Sequence, residues 1–148
     1  MISKKIQKII YKKKLLAIIL NESNFFKPGV NFITPSSLSL QLGFIKHKTK
    51  TFIKPHTHNN YLRKIRKTTE ILFVKKGKLR VDFYHNGKKY LFSKIVNKGN
   101  ILILIDGSHG FKMITNCMII EVKQGPFSLI LDKKKFNKID EKYIKIKK

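Results

Sequence analysis

Three histidines and one carboxylate carry the clearest chemical signal in this 148-residue chain. In His56-Thr57-His58 the imidazoles stand two residues apart, so on a strand both point to one face and can reach one point. Glu70 opens a later run rich in β-branched and aromatic residues, and Gly77 ends that run at a tight turn. His109 opens another run shortly after Gly99 and Gly107. Three imidazoles and a carboxylate converging inside a barrel make a site for one divalent transition metal: Fe, Mn, Ni or Zn. Such an ion acts as a Lewis acid on a carbonyl or an enediolate, or binds O₂ if it is iron. Each piece is weak alone, because a single histidine is more often a hydrogen-bonded structural residue than a ligand.

A second group concerns anions. The chain has three arginines, and two of them, Arg63 and Arg66, fall within Asn59–Thr69, between the histidine pair and Glu70. Where lysine is the default cation, a guanidinium suggests a need for its planar two-pronged fork, which matches a carboxylate or phosphate. The plainer reading is surface pairing with Asp or Glu. Glu121 and Lys123 share a strand face and suit acid–base or positioning work beside Glu70, or else form one exposed ion pair of little worth. His47 and His85 have no ligand-like context, and Cys117 has no base partner and reads as core.

The elements that must position these groups are strands. Stretches 15–20, 38–47, 51–55, 70–75, 78–84, 89–96, 101–105, 110–115 and 117–124 are rich in β-branched and aromatic residues. Turn chemistry separates them at Lys27-Pro28-Gly29, Lys76-Gly77, Asn86-Gly87, Lys98-Gly99-Asn100 and Asp106-Gly107. Asn86-Gly87 is the strongest of these, since a type I′ hairpin turn needs positive φ at both central residues. Many short strands at near-regular spacing predict an all-β sandwich or barrel. Ile6, Ile9 and Ile10 suit a short helical stripe in a basic extension over 1–14. The barrel would span 15–131, and the lysine-rich tail over 132–148 reads as a helix or an extended end.

Composition sets the class. The 42% hydrophobic and 11% aromatic content exceeds that of a disordered tail, and one cysteine excludes an internal disulfide framework. No apolar run approaches the roughly 20 residues of a membrane-spanning helix. These features lead us to expect a soluble, cytoplasmic chain with no membrane partner. A net charge of +25 would ordinarily suggest nucleic acid. Yet 30 of the 33 cations are lysine, and Lys, Ile, Asn and Phe, the products of A/T-rich codons, dominate the chain. Lysine spread by such drift gives a solvated surface, and no aromatic interleaving marks a nucleic-acid stripe. No specific nucleic-acid partner is therefore expected.

Taken in order, His56, His58, Glu70 and Gly77, then Gly99, Gly107 and His109, resemble the two motifs of the cupin superfamily. The resemblance covers roughly 38–127. Leu40-Gln41-Leu42-Gly43, His109-Gly110-Phe111 and Glu121–Phe127 look like a group of stand-alone bacterial cupins. It implies an all-β, single-domain jelly-roll barrel with a metal on His56, His58, Glu70 and His109. It also implies a small, anionic or sugar-like ligand and a capacity for homodimers. By analogy the chemistry would be of the isomerase or epimerase type, with Glu70, Glu121 and Lys123 as catalytic candidates and Arg63 and Arg66 as ligand anchors. The rival is a non-catalytic module that binds or senses its ligand without turnover.

Overall fold

Runs such as Leu15–Leu20 and Ile101–Ile105 are apolar at every position, and a strand that is apolar at every position must bury both of its faces. The computed structural model describes residues 6–22, 26–85, 88–128 and 130–148. Its strands are β1 (Gln7–Tyr11), β2 (Lys14–Asn21), β3 (Gly29–Phe32), β4 (Gly43–Lys46), β5 (Glu70–Lys76), β6 (Lys78–His85), β7 (Lys89–Asn97), β8 (Asn100–Leu104), β9 (Ser108–Met113) and β10 (Met118–Lys123). Every strand pair is antiparallel, and no α-helix occurs among the described residues, so the protein is all-β. Among the described residues no helix is long and apolar enough to cross a membrane.

Three sheets result. The largest runs β1-β2-β8-β5-β10, a second runs β7-β6-β9, and β3 pairs with β4 alone. Side chains of β2, β5 and β8 alternate between two apolar clusters. Ile19, Leu72, Val74, Leu102 and Leu104 face Leu79, Val81 and Phe83 of β6 and Phe92 and Val96 of β7. Ile18, Leu20, Ile71, Ile101 and Ile103 face the other way, where Phe26, Ile33, Leu38, Leu40, Leu42 and Phe44 cover them. The central sheet is therefore the middle of three layers.

Several expectations are corrected. The outer strands β1 and β10 do not pair with β7 or β9, so the described strands form stacked sheets and no closed barrel. Gln7–Tyr11 is a strand and not a helical stripe: Lys12 and Lys13, at φ 46° and 63°, make the tight turn that folds β1 onto β2. Thr51–Pro55 forms no strand, and only Gly43–Lys46 of the 38–47 run does. Asn86-Gly87 lies outside the described residues. The tail is extended apart from one 3-10 turn at Glu141–Tyr143, and it lies along β7, with Ser93 N–H donating to Lys145 O and Lys147 N–H to Ser93 O.

Gly77 carries the chain from the central sheet into the three-stranded one. Its φ is +88°, and a Cβ there would stand 2.3 Å from the Asn116 carbonyl oxygen. Substitution Gly77→Ala combines left-handed strain of about 1–3 kcal/mol with that overlap. We expect a loss of at least about 2 kcal/mol, read from urea midpoints at unchanged m-value. A loss below about 0.5 kcal/mol would show that the crossing is not confined to this conformation.

Candidate functional site

Alternation along the strands puts Glu70 and His109 in the same space. Glu70 has the parity of Leu72 and Val74, which face the three-stranded sheet. His109 is the direct cross-strand partner of Phe83, and such partners share a face, so it looks back toward the central sheet. Just before it, the turn at Gly107 (φ +78°) brings the chain within 2.9 Å of the Tyr84 carbonyl at the position a Cβ would take, so only glycine fits there. The two side chains meet with His109 Nε2 3.1 Å from Glu70 Oε2, the carboxylate side chain 9% exposed and the imidazole 28%.

The hydrogen bond from His109 holds the Glu70 carboxyl below the ordinary carboxylate range. Burial opposes this, and the charges of Lys133, whose Nζ is 4.0 Å from Oε1, and of Lys123 add to it. A carboxylate that has lost most of its water needs such partners to stay ionised. The neighbouring loop is tied by Thr69 N–H donating to Gln124 Oε1 at 2.8 Å.

This pair lies in a cleft of about 1030 Å³ that continues past β9 to the outer face of β6. Eight lysine and arginine side chains line it against five carboxylates. Those five are most of the eight acidic residues in the chain, and two of its three arginines, Arg66 and Arg80, line the cleft as well. Each carboxylate is held by a cation or by His109. Asp106 bonds to Lys67, Asp132 accepts from Lys123 Nζ at 2.8 Å, and Asp82 and Glu141 share Arg80. The residual positive charge suits a small anion.

The expected site residues separate into groups. Glu70, His109 and Arg66 come together at the cleft, and Lys123 sits beside Glu70 as its cross-strand partner. Glu121, exposed on β10, pairs with Leu72 and is not among the cleft's lining residues. Arg63 lies over the Tyr61 ring at 3.7 Å, away from the lining. His56 and His58 sit in the exposed stretch 47–68, with ring centroids 5.3 Å apart, and His56 Nδ1 is 3.0 Å from the Lys54 carbonyl oxygen. Among the described residues no three His, Cys, Asp or Glu side chains are grouped to hold a metal ion. As arranged, His56 and His58 are not grouped with Glu70 and His109 as one set of ligands.

Sequence reasoning did not single out Arg80, Asp82, Lys112 and Glu141. The first two alternate with Leu79, Val81 and Phe83, a pattern that reads as an ordinary solvent face until the tail is seen to cover it. Comparison with protein-family models, curated proteins and solved structures finds no match for this chain.

Because the folded state depresses the Glu70 carboxyl below 4.5, the ionised carboxylate stabilises the fold fully above that pH, and the contribution fades as pH falls through the depressed value. Substitution Glu70→Gln is expected to cost about 1–3 kcal/mol at neutral pH and progressively less on acidification. Urea unfolding across the acid range reads this directly. A cost that stays constant with pH would contradict an ionised Glu70 carboxylate.

Proposed function

We propose that this chain is a cupin-type β-protein that binds a small anionic or sugar-like molecule in the cleft and catalyses an isomerase- or epimerase-type proton transfer there. The observation that carries this reading is the Glu70–His109 pair, presented from two facing sheets into a cavity with a surplus of cations. A carboxylate and an imidazole in contact supply a base and a hydrogen-bond donor side by side, the set needed to move a proton beside a carbonyl.

In that step Glu70 takes the proton from the carbon next to the carbonyl and returns it to the neighbouring carbon, or to the opposite face. His109 donates a hydrogen bond to the oxyanion of the enediolate between these events and, for transfer between carbons, relays the hydroxyl proton from one oxygen to the other. Arg66 and Lys133, both lining the cleft, hold the anionic group of the substrate and fix which carbon faces the base. Lys123 acts by holding Asp132. A jelly-roll arrangement is consistent with the way the chain alternates between the two larger sheets from β5 to β10.

The test is exchange of substrate carbon-bound hydrogen with deuterated solvent, followed by NMR for a panel of aldose and ketose phosphates. The wild-type chain should exchange at least one of them, and His109→Gln or Glu70→Gln should slow that exchange by about 10²–10⁴. Saturable binding without exchange would point instead to a non-catalytic binding or sensing module. Exchange that survives both substitutions would move the chemistry elsewhere.

A further inference from the structure

The outer face of β6 carries a buried guanidinium with two kinds of partner. Arg80 is 6% exposed, and its Nε and Nη2 donate to the two oxygens of Asp82 at 2.7 and 2.9 Å. Asp82 is itself buried and accepts a further hydrogen bond from Ser93, so this half of the arrangement is fixed in the sheet. The other half is open. Arg80 Nη1 and Nη2 also donate to Glu141 at 2.7 and 3.3 Å, and Lys112 Nζ stands 3.0 Å from Glu141 Oε1. The Glu141 side chain is 46% exposed and belongs to a three-residue turn with no buried residue.

Three N–H groups thus converge on a carboxylate carried by a short, capped surface turn. The tail is anchored on both sides of that turn without Glu141. Ile139 N–H donates to the Tyr84 hydroxyl at 3.2 Å, Lys145 N–H to the Tyr90 hydroxyl at 2.9 Å, and Ser93 bonds the backbone at 145 and 147. Withdrawal of the Glu141 side chain leaves these anchors in place. It also leaves Arg80 balanced by Asp82, with Lys112 uncompensated and Lys138 also lining the cleft. Hydrogen bonds first from Arg80 and then from Lys112 hold the Glu141 carboxyl down at about 2, as expected for a seat that favours an ionised oxygen acid.

We propose that Arg80 and Lys112 form an oxyanion-binding site for the phosphate or carboxylate group of a small ligand. Glu141 occupies this site as an internal competitor that the ligand displaces. The site lies at the β6 outer end of the cleft and does not depend on what the Glu70–His109 end binds or catalyses. A seat already filled by a tethered carboxylate scales the apparent affinity of any external anion down to the fraction of time the seat is open, so removal of the competitor strengthens binding.

The experiment titrates the full chain with inorganic pyrophosphate, and separately with succinate, by calorimetry at physiological salt. Glu141→Gln should bind at least one probe about ten-fold more tightly than wild type. Glu22→Gln, the same charge change outside the cleft, should bind as wild type does. Adding Lys112→Met to Glu141→Gln should remove most of the gain, a readout that avoids unfolding a variant of buried Arg80. A gain with pyrophosphate alone assigns the seat to phosphate, and a gain with both assigns it to oxyanions in general. Unchanged affinity in a folded Glu141→Gln variant, or an equal gain in Glu22→Gln, would overturn the proposal and leave Glu141 as a structural pin.

Discussion

Because β2, β5 and β8 bury side chains on both faces, ionisable groups find room on these three strands only where they begin or end. Glu70, the first residue of β5, stands at such an end, with Leu104 as its cross-strand partner. There the carboxylate is shielded from water yet still beside the cleft, and it must be compensated from the facing sheet. His109 supplies that compensation from β9. Its position follows from the Gly107 turn and from its pairing with Phe83, whose side chain fills the core directly beneath.

The three-stranded sheet obeys the same rule on its other side. Its outer face holds Arg80, Asp82 and Ser93, a polar group that could not remain buried against apolar side chains. The lysine-rich tail covers it with backbone hydrogen bonds and with Glu141, and so becomes one wall of the cleft. A chain with so few acidic residues has concentrated them here, each beside a cation or an imidazole. The cleft therefore combines local order with a net positive field, conditions that favour capture of small anions over scattered surface binding.

Much of this was legible in the sequence, and the reasons for the rest are physical. Continuous apolar runs and turn glycines located β2 and β5 to β10, because doubly buried strands and crossings need those residue types. The first hairpin escaped because lysines, not Asn-Gly, take the positive-φ positions at 12 and 13. Glu70 and His109 were singled out from their place beside turn glycines. The histidine pair at 56 and 58 was expected with them on the assumption that 51–55 continues a strand, yet that stretch finds no partner strand and stays exposed. Arg80 and Asp82 looked like a solvent face, since periodicity reports that a face is polar but not what lies over it.

The account turns on Glu70 and His109 acting as one unit across the two sheets. A double-mutant cycle of Glu70→Gln and His109→Gln, measured by urea unfolding at neutral pH, tests this most directly. We expect a coupling energy of about 1–3 kcal/mol, with the double variant less destabilised than the sum of the single ones. Strict additivity, with coupling below about 0.3 kcal/mol, would show that the two side chains are independent and that the cleft is not built around their contact.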